Sequence, residues 1–152
     1  MTITTQKASI ADLDTLNQIE QECFVTEAFS RSQIASLLKA ANSISLLTEA
    51  DGEVVGFIIG LVHDYEKIKI GHIVTIDVLA KYRRKGVGMA LLGEIEKEFK
   101  NLGVKACYLE VRVDNVAAKR LYQKFGYSRV EMLEDYYCRG GHGIRLEKTL
   151  LP

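Results

Sequence analysis

Proline occurs once in the 152 residues, at the final position, Pro152. With no proline-rich linker, repeat or low-complexity block to divide it, the chain reads as a single domain over residues 1–152. Cysteine is scarce as well. Cys23, Cys107 and Cys138 are odd in number and form no CxxC pair. That argues against a disulfide framework or a zinc knuckle and fits a reducing compartment. There is no excess of charge: 20 basic residues balance 20 acidic ones. A general nucleic-acid binder would rest on surplus Lys and Arg, so nucleic acid is not an expected partner. Long apolar runs are missing too. The longest, residues 54–62, is too short to span a bilayer, and residues 1–7 lack the apolar core of a signal peptide. The expectation is a cytoplasmic protein with no membrane partner.

What is present suits a packed core: 47% of residues are hydrophobic and 26% charged. Residues 2–8 alternate like a strand. Ser9 and Asp12 form a capping-box pattern, after which Leu13, Leu16, Ile19 and Cys23 recur at helical spacing. A second amphipathic helix is predicted over residues 30–41. Residues 45–49 and 54–62 flank Asp51-Gly52 as a β-hairpin. A β-branched strand follows at 72–79. The clearest helix, 86–101, carries an apolar stripe of Val87, Ala90, Leu91, Ile95, Phe99 and Leu102, with Gly103 as its C-cap. A strand at 106–113, a helix at 115–125 and strands near 127–133 and 144–150 complete the order βααβββαβαββ. The strand–helix–strand unit across 72–113 should be a right-handed parallel crossover. The fold class is therefore α/β: a twisted, mixed sheet with helices on both faces.

The segment Tyr82-Arg83-Arg84-Lys85-Gly86-Val87-Gly88-Met89 joins a strand to the start of a helix. Glycines at alternate positions let the backbone approach a ligand closely. The free N–H groups and dipole of the helix start favour an anion, and three cations precede them. A pyrophosphate is the natural guest. Gly88 is followed by Met89 rather than Lys-Ser/Thr, so no Walker A loop is present. Leu91 stands where a Rossmann fingerprint needs a small residue.

Arg83-x-x-Gly86-x-Gly88 resembles the Q/R-x-x-G-x-G/A signature of the GCN5-related N-acetyltransferases (GNAT), and the element order is similar to theirs. A second stretch agrees: Tyr108-Leu109-Glu110-Val111-Arg112-Val113-Asp114-Asn115, then Ala117-Ala118, Leu121-Tyr122 and Phe125-Gly126-Tyr127. It resembles the L-E-V-R-x-x-N-x-x-A-x-x-L-Y-x-x-x-G-F pattern of the RimI-like and archaeal N-terminal acetyltransferase branch. The resemblance implies the GNAT fold, acetyl-CoA as co-substrate and the N-termini of proteins or peptides, ribosomal or nascent chains among them, as partners. It places the pyrophosphate on residues 83–89 and the pantetheine arm along the backbone of Ile76, Asp77 and Val78, with Asn115 beside it. Asp77 departs from the small residue usual there.

Amine acetylation needs a neutral amine and a stabilised leaving thiolate. An α-amine, with a reference pKa near 8, needs only a modest base, whereas a lysine near 10.4 is mostly charged. The resemblance assigns the base to Glu110, with His72 sharing the role, and the acid that meets the CoA sulfur to Tyr122. Burial in a central strand could raise the Glu110 pKa towards a working range. Each residue has a plainer reading: a strand glutamate paired with a cation, a structural histidine, an aromatic packing on the sheet. Asn115 reads equally as a helix cap. His72 and Glu110 are too few to predict a metal site. Cys107 raises the alternative of an acyl-cysteine intermediate, but three residues from Glu110 it faces the other side of the strand. Direct transfer in a ternary complex is preferred. On the substrate side, residues 24–30, beginning at Phe24, resemble the RimI-like substrate loop without its prolines. Tyr136 and Tyr137 resemble the tyrosines of the opposite wall, or are plain hairpin aromatics. Acetylation of lysines or small amines, and a non-catalytic CoA-binding module, are the rival functions.

Overall fold

Two reciprocal capping boxes fix the first helices. Ser9 and Asp12 start a 3-10 turn that leads into α1 (Leu13–Cys23), and Ser30 with Gln33 starts α2 (Arg31–Lys39). The computed structural model describes all residues, 1–152. Strand β1 (Ile3–Lys7) precedes these helices. After them come β2 (Ser43–Ala50), β3 (Glu53–Tyr65), β4 (Ile68–Val78), α3 (Val87–Asn101), β5 (Val104–Arg112), α4 (Val116–Lys124), β6 (Ser128–Cys138) and β7 (Gly141–Thr149).

The strands form one seven-stranded sheet in the order β1-β2-β3-β4-β5-β7-β6. Only β4 and β5 run parallel, joined through α3; every other neighbouring pair is antiparallel. The mixed sheet is thus the expected one. Helices α1 and α2 cover one face, burying Leu16, Ile19 and Ile34 on Leu47, Phe57 and Ile59. Helix α3 covers the other, burying Leu91, Leu92, Ile95 and Phe99 on Ile58, Ile73, Val104 and Leu109. Close approach of α3 depends on two glycines: a Cβ built on Gly60 or on Gly71 would stand 2.8 Å from the Phe99 ring. No helix is long and apolar enough to cross a membrane.

Three details differ from the sequence reading. β3 and β4 extend into a hairpin whose tip, with Tyr65 and Ile68 exposed, lies beyond the predicted strand limits. Backbone ladder bonds continue there without burial, so the apolar pattern stops before the strands do. β6 runs on to Cys138 as an edge strand exposed along almost its whole length. Leu102 lies past the end of α3 and is exposed, while Leu92 takes a buried place in the stripe.

Candidate active site

β4 and β5 are hydrogen-bonded only near their beginnings. Their parallel register runs from Lys69 opposite Val104 to His72 opposite Tyr108 and stops, although β4 continues to Val78 and β5 to Arg112. Each strand keeps its outer partner, β3 and β7 respectively, to its end. The sheet therefore splits down its middle into a V-shaped cleft with His72 and Tyr108 at the apex. The Leu79 N–H donates to the Val55 carbonyl at 2.9 Å. Alternation along β4 then turns the backbone of Asp77 to Phe57 on β3, and that of Ile76 and Val78 to the cleft. Strand groups facing a cleft must find other partners. Asp77, grouped with its neighbours from sequence, is corrected to a residue whose backbone holds β3.

The Asp77 side chain is buried on the α1 face. The Thr75 hydroxyl lies 2.7 Å from Asp77 Oδ1 and 3.1 Å from Glu20 Oε1, and Glu20 Oε2 accepts the Phe29 N–H at 3.0 Å. Burial, and then the neighbouring Glu20, pushes the Asp77 carboxyl well above the ordinary range. Burial beside Glu20 favours the protonated form of Asp77, and the Thr75 hydroxyl lies between the two acids.

Beyond Val78 the chain makes a 3-10 turn, Ala80–Tyr82, and reaches Gly86, the N-cap of α3, at φ +86. Gly86 makes no side-chain cap, and the first helical bond is Ala90 N–H to the Gly86 carbonyl at 3.0 Å. The N–H groups of Val87, Gly88 and Met89 are thus free for an anion. Arg83 proves to brace the turn: its Nε donates to the Val78 carbonyl at 2.9 Å. Arg84 is exposed, and Lys85 lies 5.6 Å from the centre of the Tyr82 ring. Tyr82 is anchored by donating its hydroxyl to Glu53 at 2.7 Å.

At the apex, His72 Nε2 lies 2.7 Å from Glu110 Oε1. Strand alternation puts Cys107, Leu109 and Val111 into the core and leaves Tyr108, Glu110 and Arg112 on the cleft side. The Tyr108 ring stacks on His72 at 4.4 Å between centroids. Arg145, directly opposite Glu110 in the β5–β7 register, donates from Nε to Glu110 Oε2 at 3.2 Å and from Nη1 to Glu131 at 3.1 Å. Burial raises the Glu110 carboxyl, but the hydrogen bond and charge of His72, and then those of Arg145, outweigh it, so the pKa lies below the ordinary value. This reverses the expectation that burial would lift it.

With that geometry in view, residues 13–127 match the acetyltransferase (GNAT) family. The chain belongs to this family. It is 35% identical over 144 residues to an N-alpha-acetyltransferase of Sulfurisphaera tokodaii, covering 89% of this chain and 86% of that one. Over 69 residues, 45% of this chain and 47% of the other, it is 36% identical to the [ribosomal protein bS18]-alanine N-acetyltransferase of Haemophilus influenzae. The crystal structure of Ard1 from Thermoplasma volcanium superposes with a TM-score of 0.87 at 27% identity, covering 100% of both chains.

In this GNAT chain Tyr122 sits on α4, 6% exposed, packed edge-on against Tyr127 with centroids 6.0 Å apart. Burial raises its phenol pKa, and the nearby Asp77 and Tyr137 add to the shift. Its proton therefore stays on at neutral pH. Asn115 caps α4, its side-chain oxygen accepting the Ala118 N–H at 3.1 Å.

Phe24, Tyr136 and Tyr137, expected on the substrate side, lie at the end of α1 and on β6. Phe24 ends α1, and the loop after it carries Glu27, which accepts from Arg112 Nη1 at 3.1 Å. Arg112 lies over the Tyr137 ring at 5.7 Å, and Tyr136 and Tyr137 meet edge to face at 4.9 Å. The ion pair ties the loop to the end of β5, and the same Arg112 meets Tyr137 of β6. The sequence alone does not single out Arg145, Glu27, the Glu20–Thr75–Asp77 chain or the stack of Tyr108 on His72. No local pattern announces them, because each depends on a register or a tertiary contact. Cys107 is wholly buried beside the Tyr127 hydroxyl at 3.2 Å, and burial pushes its thiol up to about 12. A thiolate nucleophile is not available there.

Proposed function

We propose that this GNAT enzyme transfers the acetyl group of acetyl-CoA to the N-terminal α-amine of a protein or peptide, by direct transfer in a ternary complex. The observation that carries the reading is the His72–Glu110 pair at the apex of the split sheet, within electrostatic reach of Tyr136 and Tyr137. The relative from Sulfurisphaera tokodaii, an N-alpha-acetyltransferase, supports the same substrate class. The Haemophilus influenzae relative, named for a ribosomal protein substrate, supports ribosomal N-termini among the targets.

Acetyl-CoA supplies the activated thioester. The free N–H groups of Val87, Gly88 and Met89, with Gly86, Arg84 and Lys85 around them, hold the pyrophosphate. Arg83 shapes the turn that presents them. The backbone of Ile76 and Val78 pairs with the pantetheine amides, and Asn115 lies along the same arm. The His72–Glu110 pair takes the amine proton as the nitrogen bonds to the acyl carbon. Tyr122 gives its proton to the departing sulfur as the carbon–sulfur bond breaks.

Mass spectrometry of peptides with varied N-termini, alongside N-blocked peptides containing lysine, tests the substrate class. Acetylation of free α-amines with release of CoA is expected. Acetylation confined to lysine side chains or small amines would overturn it. Absence of any CoA release would make the chain a binding module.

Gly86 offers a separate test of the cradle. A Cβ there meets nothing within 4 Å, so Gly86→Val acts through its left-handed φ of +86 rather than through a clash within the protein. Leaving that region recovers about 1–2 kcal/mol, and the first N–H groups of α3 swing away from the anion. The acetyl-CoA dissociation constant should rise about tenfold or more with little change in melting temperature. Unchanged affinity in a folded variant would remove the pyrophosphate from this loop.

A further inference from the structure

A glutamate at the amine could take the proton itself or could orient a histidine that does. The surroundings of Glu110 distinguish the two. Both carboxylate oxygens are engaged, Oε1 by His72 Nε2 at 2.7 Å and Oε2 by Arg145 Nε at 3.2 Å. An ionised carboxylate only accepts hydrogen bonds, so His72 Nε2 must carry the hydrogen between them. Neutral His72 then has its lone pair on Nδ1. Its side chain is 22% exposed, against 9% for Glu110, so the histidine is the more accessible member. The Tyr108 stack fixes the ring plane.

We propose that Arg145 is a positioning residue: by occupying Glu110 Oε2 it makes Glu110 the orienting group and His72 Nδ1 the atom that takes the amine proton. The proposal rests on the reading of His72 and Glu110 as the base of an amine acetyltransferase. Arg145 is itself held from both sides, by the Glu131 carboxylate on β6 and by the Tyr108 ring, 5.3 Å from the guanidinium. The other titratable groups acting on Glu110 are the phenols of Tyr108, Tyr136 and Tyr137, all raised by burial. They stay neutral at and below neutral pH. Arg145 is therefore the fixed charge against Glu110 throughout that range, with the Glu131 carboxylate on its far side.

Arg145→Met keeps the stem of the side chain and removes the charge; Arg145→Lys restores the charge without the fork. Nuclear magnetic resonance of labelled protein reads the His72 tautomer and the Glu110 carboxyl titration directly. The wild type is expected to show the Nε2–H tautomer and a Glu110 titration below the ordinary range. In Arg145→Met that titration moves to higher pH. With the cation gone, the pair binds protons more tightly, so the acidic limb of kcat/KM also moves to higher pH, and activity at pH 6 falls about tenfold. Arg145→Lys recovers both in part. An Nδ1–H tautomer in the wild type would overturn the assignment, and so would an unchanged Glu110 titration in Arg145→Met. The resonance readings need no turnover. A wild type inactive on every peptide would therefore sink the proposed substrate while the tautomer still judged Arg145.

Discussion

Glu110→Gln is expected to lower kcat/KM by about 10²–10³-fold, and adding His72→Phe should lower it little further. The two side chains touch at 2.7 Å and act on one proton, so removing either disables the unit. Fully additive losses would mean that each contributes separately, and deprotonation would then pass to bulk water. The pH profile divides the labour. If His72 is the proton acceptor, Glu110→Gln keeps an acidic limb beyond that of the amine, and His72→Phe loses it. The reverse pattern would make Glu110 the acceptor and would remove the role given to Arg145. Using one peptide throughout holds the amine's own ionisation constant.

Stability must be followed in the same variants, and its sign is fixed. The folded pKa of Glu110 lies below its ordinary value. Its carboxylate therefore contributes stability that is fully present above the unfolded carboxyl pKa and is lost as pH falls through the folded one. Glu110→Gln should melt lower than the wild type at neutral pH, and the gap should close in acid. Activity is best compared at neutral pH and at a temperature where both proteins remain folded. An equal melting temperature at all pH values would show that the clamp on Glu110 adds nothing to folding.

The order of elements was legible because most helices and strands here are half-buried, and half-burial writes a period into the sequence. The α3 stripe and the alternation of β5 through Cys107, Leu109 and Val111 are both of that kind. The exposed start of α3 was legible because a glycine pair and clustered cations are consecutive in the chain just where the helix begins. The full length of β6 is hidden in the sequence because an edge strand wet along its length has no alternation to show. The apex cluster was only half legible. Glu110 and His72 came from motif resemblance, but Arg145 lies 35 residues further on and meets Glu110 only through the β5–β7 register. The fate of Asp77 was hidden for a similar reason. Its partner Glu20 comes from α1, 55 residues before the bridging Thr75. The Glu110 pKa depends on the same contacts: burial alone raises it, and partners invisible in the sequence bring it down.

Tyr122→Phe is expected to lower kcat by about 10–100-fold while leaving the acetyl-CoA dissociation constant within about twofold. The ring stays, and with it the edge-on contact to Tyr127. Only the hydroxyl is lost, and its raised pKa arises from burial and nearby charge, with no hydrogen bond from a protein partner among the causes. Removing a polar atom that the fold does not pair should cost no stability, so the melting temperature should hold or rise slightly. A purely packing tyrosine would give the same melt and unchanged catalysis, which makes kcat the deciding quantity. Product release can mask the chemical step, so the comparison belongs in single-turnover experiments with enzyme in excess. There the variant should accumulate acetylated peptide slowly, because sulfur must leave as an unprotonated thiolate in a buried site. An undiminished single-turnover rate would leave Tyr122 a packing aromatic, and the leaving thiolate would then take its proton from solvent.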